Sequence, residues 1–139
     1  APTAFPTTAS RPWSEAWRSP MPARQLSDVP ADPAAARAFF EAESASSPVI
    51  VFKKSPICPV STLAENEFQD FLKTDPDVAY AFVDVIAQKP LARGLTAELD
   101  IRHESPQALW FDNGALAWHD SHGSLTEAAF RERLSSPAS

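Results

Sequence analysis

Apolar and polar positions change their period repeatedly along the chain, and each change marks an element. Val49, Ile50, Val51 and Phe52 run without polar alternation, which suits a central strand covered on both faces. From residue 60 the apolar positions Val60, Ala64, Phe68, Phe71 and Leu72 follow helical spacing, with Glu65, Asn66 and Gln69 outside. Asp75-Pro76-Asp77 is a loop, and residues 78–85 read as a second buried strand. Ahead of the first strand, Asp32-Pro33 has the form of an N-cap and first-turn proline. It opens an Ala-rich helix to about residue 43, with Ala35, Phe39 and Ala42 expected inward. Behind the second strand, Pro90 opens a helix in which Leu91, Leu95 and Leu99 recur at helical spacing.

Residues 101–105 form a connector before Pro106. Gln107-Ala108-Leu109-Trp110-Phe111 and Ala115-Leu116-Ala117-Trp118 flank Asp112-Asn113-Gly114, a strong hairpin signal that puts Trp110 and Trp118 at cross-strand positions. Ser124-Leu125-Thr126-Glu127 reads as a capping box starting a last helix, with Leu125, Ala129 and Leu134 on one face. The predicted order is α-β-α-β-α-β-β-α. Strand, crossover helix and strand make a right-handed parallel unit, and a hairpin follows it. The fold class is therefore α/β: a four-stranded mixed sheet flanked by helices, the layout of a thioredoxin-like domain with an extra N-terminal helix.

Residues 1–30 stand apart. They are rich in Ala, Pro, Ser and Thr without a sustained period, and are expected to be an extended or mobile N-terminal extension to a domain at 31–139. Trp13, Trp17 and Met21 would share a face if that piece were helical, covering the main body or serving as a docking peptide. At 139 residues the chain is one domain by length, and its net charge of -6 argues against nucleic acid or an anionic membrane as partner. No apolar run is long enough to span a bilayer, and the first residues lack the basic start and apolar middle of a secretory signal. A lone cysteine cannot make an internal disulfide, so nothing requires an oxidising compartment. A cytoplasmic monomer is expected.

That cysteine, Cys58, lies in Pro56-Ile57-Cys58-Pro59-Val60-Ser61, between the first strand and the following helix. A thiol there faces the first free N–H groups and the positive end of the helix dipole, which favour thiolate. Pro59 suits the first helical position. Val60 and Ser61 have N–H groups to aim at sulfur, and the Ser61 hydroxyl is a further possible donor. The bland alternative is a small buried hydrophobe.

Phe52-Lys53-Lys54-Ser55, Cys58-Pro59-Val60-Ser61, His103-Glu104-Ser105-Pro106-Gln107, and Trp118 with Ser121-His122 together resemble the bacillithiol-system YtxJ family, the monothiol bacilliredoxin C type. The resemblance runs from about Val49 to Leu134. It implies a thioredoxin-fold oxidoreductase that removes bacillithiol from mixed disulfides on cytoplasmic proteins, with Cys58 as the attacking cysteine and Pro106 as the facing cis-proline. Bacillithiol would be a co-substrate, and no bound cofactor is implied. This chain departs from the family at Lys54, where His is usual, at Ala92-Arg93, where Ser-Asn is usual, and at Asp100 in place of Gly. Lys54 would put an ammonium near the thiol; the other two departures read as structural, Asp tolerating positive φ better than most residues.

With Ser61 where a second thiol could stand, an adduct on Cys58 must be resolved by an external thiol. A cis Pro106 would expose a backbone edge at Ser105 for a substrate segment. His103 could contact thiolate or substrate, or bond to backbone, and Glu104 reads as a salt-bridge or turn partner. Lys53 and Lys54 read as a solvated strand end able to lower the thiol pKa by charge. His119 and His122 form H-x-x-H, but no familiar zinc spacing completes it, so no metal is expected; His122 is expected to order the turn before the last helix. The rival class is a thioredoxin-fold redox sensor or binding module modified at Cys58 without turnover. A peroxidase lacks an evident Arg paired with the cysteine.

Overall fold

The computed structural model describes residues 22–135. The candidate Trp13, Trp17 and Met21 face lies outside them. In chain order the elements are β1 (Arg24–Gln25), α1 (Pro33–Glu43), β2 (Val49–Lys54), α2 (Pro59–Leu72), β3 (Ala79–Asp84), α3 (Lys89–Glu98), β4 (Gln107–Asp112), β5 (Ala115–Ser121), a 3-10 turn (His122–Ser124) and α4 (Glu127–Ser135). The sheet order is β1-β3-β2-β4-β5, with β1, β3 and β2 parallel and β4 and β5 antiparallel to their neighbours.

The sheet thus has five strands where the sequence pattern gives four. The extra one is the two-residue β1, which falls inside the stretch assigned to the extension. Arg24 N–H donates to Val78 carbonyl at 3.1 Å and Leu26 N–H to Tyr80 carbonyl at 2.8 Å. The Arg24 guanidinium adds an ion pair to Asp77 at 3.2 Å and a bond to the Ser47 hydroxyl. Two paired residues carry no hydrophobic period, so this strand leaves no pattern to read.

Strand β2 lies in the middle, and its side chains alternate between two cores. Val49 and Val51 join Ala36, Phe40, Leu91, Ala92 and Leu95 on the α1/α3 side. Ile50 and Phe52 join Ala64, Phe68, Phe71, Leu125 and Phe130 on the α2/α4 side. Within α1 the buried residues are Ala36 and Phe40, so the face is turned one residue from the expected Ala35, Phe39 and Ala42. In α2, Val60 is exposed while the rest of the expected face is buried. In α4 the buried residue is Phe130, and Leu134 is exposed. Its capping also differs: Ser124 belongs to the 3-10 turn, and Thr126 Oγ1 accepts the Ala129 N–H at 3.1 Å.

Other turn chemistry follows the sequence closely. Asp32 caps α1 through Oδ2 and the Ala35 N–H at 3.0 Å. Asn113 and Gly114 both take positive φ in the hairpin, as a two-residue turn of this kind requires. Asp100, φ 55°, ends α3: its N–H bonds Ala97 carbonyl at 3.2 Å and Ile101 N–H bonds Thr96 carbonyl at 3.0 Å. This closes the helix in the manner usually given to glycine.

Helices α1 and α3 approach closely where Gly94 lies against the Pro33 ring, so that a Cβ there would overlap ring carbons. Gly94→Ala should therefore destabilise, by about 1–3 kcal/mol of overpacking against only about 1 kcal/mol of helix propensity gained. Urea unfolding checks this, and Gly94→Ala combined with Pro33→Ala should recover part of the loss. A single variant as stable as wild type would contradict the close approach.

Candidate active site

The register Lys53↔Gln107 brings the C-terminal end of β2 beside the N-terminal end of β4. The turn that follows Lys54, with Cys58, and the segment that precedes Gln107, with Ser105 and Pro106, therefore leave the same end of the sheet from adjacent strands. The Ser105–Pro106 bond is cis, as the sequence reading expects.

Cys58 is the N-cap of α2, in extended conformation (φ -101°, ψ 120°), with Pro59 in the first turn. Its carbonyl accepts the Thr62 N–H at 3.1 Å. The thiol is free and partly exposed, which removes the buried-hydrophobe alternative. Its sulfur makes no capping hydrogen bond to the helix, so the N–H bonds expected from Val60 and Ser61 are not formed in this state. Ser61 does something else: fully buried, its Oγ accepts the Ser55 N–H at 2.8 Å and fixes the turn before the cysteine.

An apolar rim surrounds the turn. Ile57 is 79% exposed, Leu63 66% and Val60 43%. Val60 and Leu63 continue into a groove of about 340 Å³ whose far wall is His122, Gly123 and Leu125.

The positive groups are arranged differently from the sequence reading. Lys54 has its ammonium 3.3 Å from Glu65 and 4.9 Å above the Phe82 ring. Lys53 is the surprise, because it is fully buried rather than a solvated strand end. Its Nζ lies 2.7 Å from His103 Nδ1 and 2.7 Å from Gln107 Oε1. Burial drives its pKa from 10.5 down to about 7, with Arg93 adding to the fall and Glu104 opposing it. His103 is likewise held below its ordinary value of 6.5, by burial first and then by Lys53 and Arg93. The main side-chain partner of His103 is thus an amine, with a backbone hydrogen bond at Ala92 in addition. Arg93, read as a structural departure, acts electrostatically on both groups; Ala92 is buried core.

Glu104 is the turn partner expected of it, 2.9 Å from His122 Nε2 and 3.2 Å from Arg102 Nε. The His122 hydrogen bond leads in holding its carboxyl below the usual range. His122 also donates its backbone N–H to Pro106 carbonyl at 3.0 Å, so it orders the turn before α4 by tying it to the segment beside Cys58. Among the described residues, no group of three or more His, Cys, Asp and Glu side chains is placed to hold a metal ion. No helix among them is long and apolar enough to cross a membrane.

The monothiol bacilliredoxin BrxC family profile matches residues 33–130. The chain belongs to that family. A solved protein described as a putative oxidoreductase with a thioredoxin fold is 28% identical, covering 79% of this chain and 91% of its own, with a TM-score of 0.60. Fasciola hepatica thioredoxin (19% identity, 80% of this chain and 95% of that one, TM-score 0.58) shares the fold. So does a mutant thioredoxin from Halobacterium salinarum (16% identity, 88% and 96%, TM-score 0.60). For a bacilliredoxin, the geometry contributes one free, partly exposed cysteine at a helix mouth, on the strand end adjacent to the one that Pro106 leads into. Lys53 and Gln107 lie inside the family motifs and Arg93 at a departure from them, but no motif tells that the three act on one another. Alternation along β2 offers the missed signal, since Lys53 shares a side with Val49 and Val51.

The lowered Lys53 pKa fixes the sign of a stability effect. Between about pH 7 and 10.5 the unfolded chain holds this proton and the folded chain does not. Stability from this group is therefore at its lowest below pH 7 and rises across that window. Denaturant titrations of wild type and Lys53→Met at about pH 6, 8 and 10 should show their difference moving in favour of wild type as pH increases. A difference independent of pH would contradict a titrating buried amine.

Proposed function

We propose that this bacilliredoxin is a monothiol thiol–disulfide oxidoreductase that removes bacillithiol from protein mixed disulfides through Cys58. The observation that carries the reading is a single free, partly exposed cysteine at the N-terminus of α2, with Ser61 and no second thiol in the helix turn that follows. Cys58 thiolate attacks the bacillithiol sulfur of the mixed disulfide. One S–S bond forms on Cys58 as the other breaks, and the protein thiolate leaves and takes a proton from water. A second bacillithiol, as thiolate, then attacks the adduct; bacillithiol disulfide departs and Cys58 thiolate is restored. The net two-electron reductant is bacillithiol itself, a co-substrate, and the cycle uses no resident cofactor.

Roles follow for the neighbours. Pro59 starts the helix whose dipole favours thiolate, and the Val60 and Ser61 amides are the nearest helix donors for a sulfur that becomes anionic. Ser105, ahead of the cis bond to Pro106, presents its backbone to an extended segment of the bacillithiolated protein. Lys54 supplies positive charge near the turn, and His103, held neutral by burial and by Lys53, is a candidate contact for substrate. The protein would act as a cytoplasmic monomer, without nucleic acid or membrane. The second reading is a redox sensor modified at Cys58 without turnover, since the same free, partly exposed thiol would take up an adduct in either case.

Incubation with bacillithiol disulfide should give a one-to-one mass adduct that is absent in Cys58→Ser. With a bacillithiolated protein and excess reduced bacillithiol, many equivalents should be released per enzyme. Adduct without repeated release would establish the sensor, and no adduct at all would sink both.

A further inference from the structure

The fully buried Lys53 amine has, as its hydrogen-bond partners, a ring nitrogen and an amide oxygen rather than a carboxylate. A buried amine of this kind is costly and is normally matched with an acid. The charged groups acting on it are Arg93 from α3, which opposes its charge, and Glu104 from the connector, which favours it. Nothing in core packing calls for a lysine where Val49 and Val51 on the same side are valines.

The partners explain its place. Gln107 Oε1 accepts from Lys53 and also from the Glu104 N–H at 3.2 Å, while Gln107 Nε2 donates to Arg102 carbonyl at 2.9 Å. With His103 on the same amine, residues 102, 103, 104 and 107 are all gathered onto one buried nitrogen and the amide beside it. Ser105 and Pro106 are the residues between. This span has no strand or helix of its own, so its shape depends on these bonds.

We propose that Lys53 is a positioning residue for the exchange reaction: its amine, held between His103 and Gln107, fixes the 102–107 segment beside the thiol turn. The inference rests on the thiol-exchange reading above. Lys53 does not touch substrate; it acts through the segment against which the mixed disulfide must lie for in-line attack. A displacement of about 1 Å at such a position can cost on the order of 100-fold in rate. The same bond sets the His103 tautomer. While Lys53 is charged it can only donate, so in that state Nδ1 is the acceptor and the ring proton sits on Nε2.

The test compares wild type with Lys53→Met, which keeps the length of the side chain and removes its donors. Three readouts are needed: exchange with a bacillithiolated protein, alkylation of Cys58 by iodoacetamide, and the His103 ring nitrogens by 15N NMR. Exchange should fall on the order of 10- to 100-fold. Alkylation, which needs no aligned disulfide, should change less than about twofold, and His103 should lose its fixed Nε2–H tautomer. Unchanged exchange would overturn the proposal, and so would an equal fall in exchange and alkylation. Should Lys53→Met fail to fold, His103→Asn, which keeps an acceptor, is compared with His103→Leu, which does not. Asn should retain most of the exchange rate and Leu lose it; equal rates would overturn the assignment. Wild type without exchange but with the bare Nδ1 would instead refute the thiol-exchange reading.

Discussion

The register between β2 and β4 constrains everything at the working end of this molecule. Lys53 stands opposite Gln107 because Val49, Val51, Leu109 and Phe111 meet on one side of the sheet, and Ile50, Phe52, Ala108 and Trp110 on the other. A slip of one residue would exchange those two sets and put Lys53 into the α2/α4 core among phenylalanines. It would also separate the turn carrying Cys58 from Ser105 and Pro106. The aromatic stack of Phe52 on Phe68, with ring centroids 5.0 Å apart, helps hold α2 over the strand and so fixes where its N-terminus opens.

Around that register the site is assembled from short polar ties. Ser61 holds Ser55 in front of the cysteine, His122 holds Glu104 and Pro106, and Gln107 gathers the connector onto Lys53. Each joins an irregular segment to an element end, and the sulfur is left without a capping bond. In the proposed exchange the sulfur must attack and later leave, and no capping donor fastens it.

Much of this was legible in the chain itself. The uninterrupted run at Val49 to Phe52, the Asn113-Gly114 turn, the Asp32 cap and the proline after Ser105 each state a local requirement that few other structures satisfy. What escaped depends on partners far away in sequence. The α1 face turned by one residue because Pro33 must meet Gly94 on α3, and β1 forms only because β3 offers an edge. Glu127 starts α4 with its N–H on Glu67, 60 residues away, beside the Thr126 cap on Ala129, so the box expected from Ser124 does not form. Lys53 was misplaced for the same reason: two adjacent lysines look solvated until the partner strand supplies Gln107 and the connector supplies His103.

The central claim is that one end of the sheet holds an attacking sulfur and a receptive backbone segment side by side. It is tested most directly on the mixed disulfide between Cys58 and a cysteine-containing peptide, by amide hydrogen exchange compared with the free protein. The account predicts that new protection concentrates at Ser105 and its immediate neighbours, where the peptide backbone would pair. Protection confined to α4 or to β5, with Ser105 exchanging as before, would contradict it.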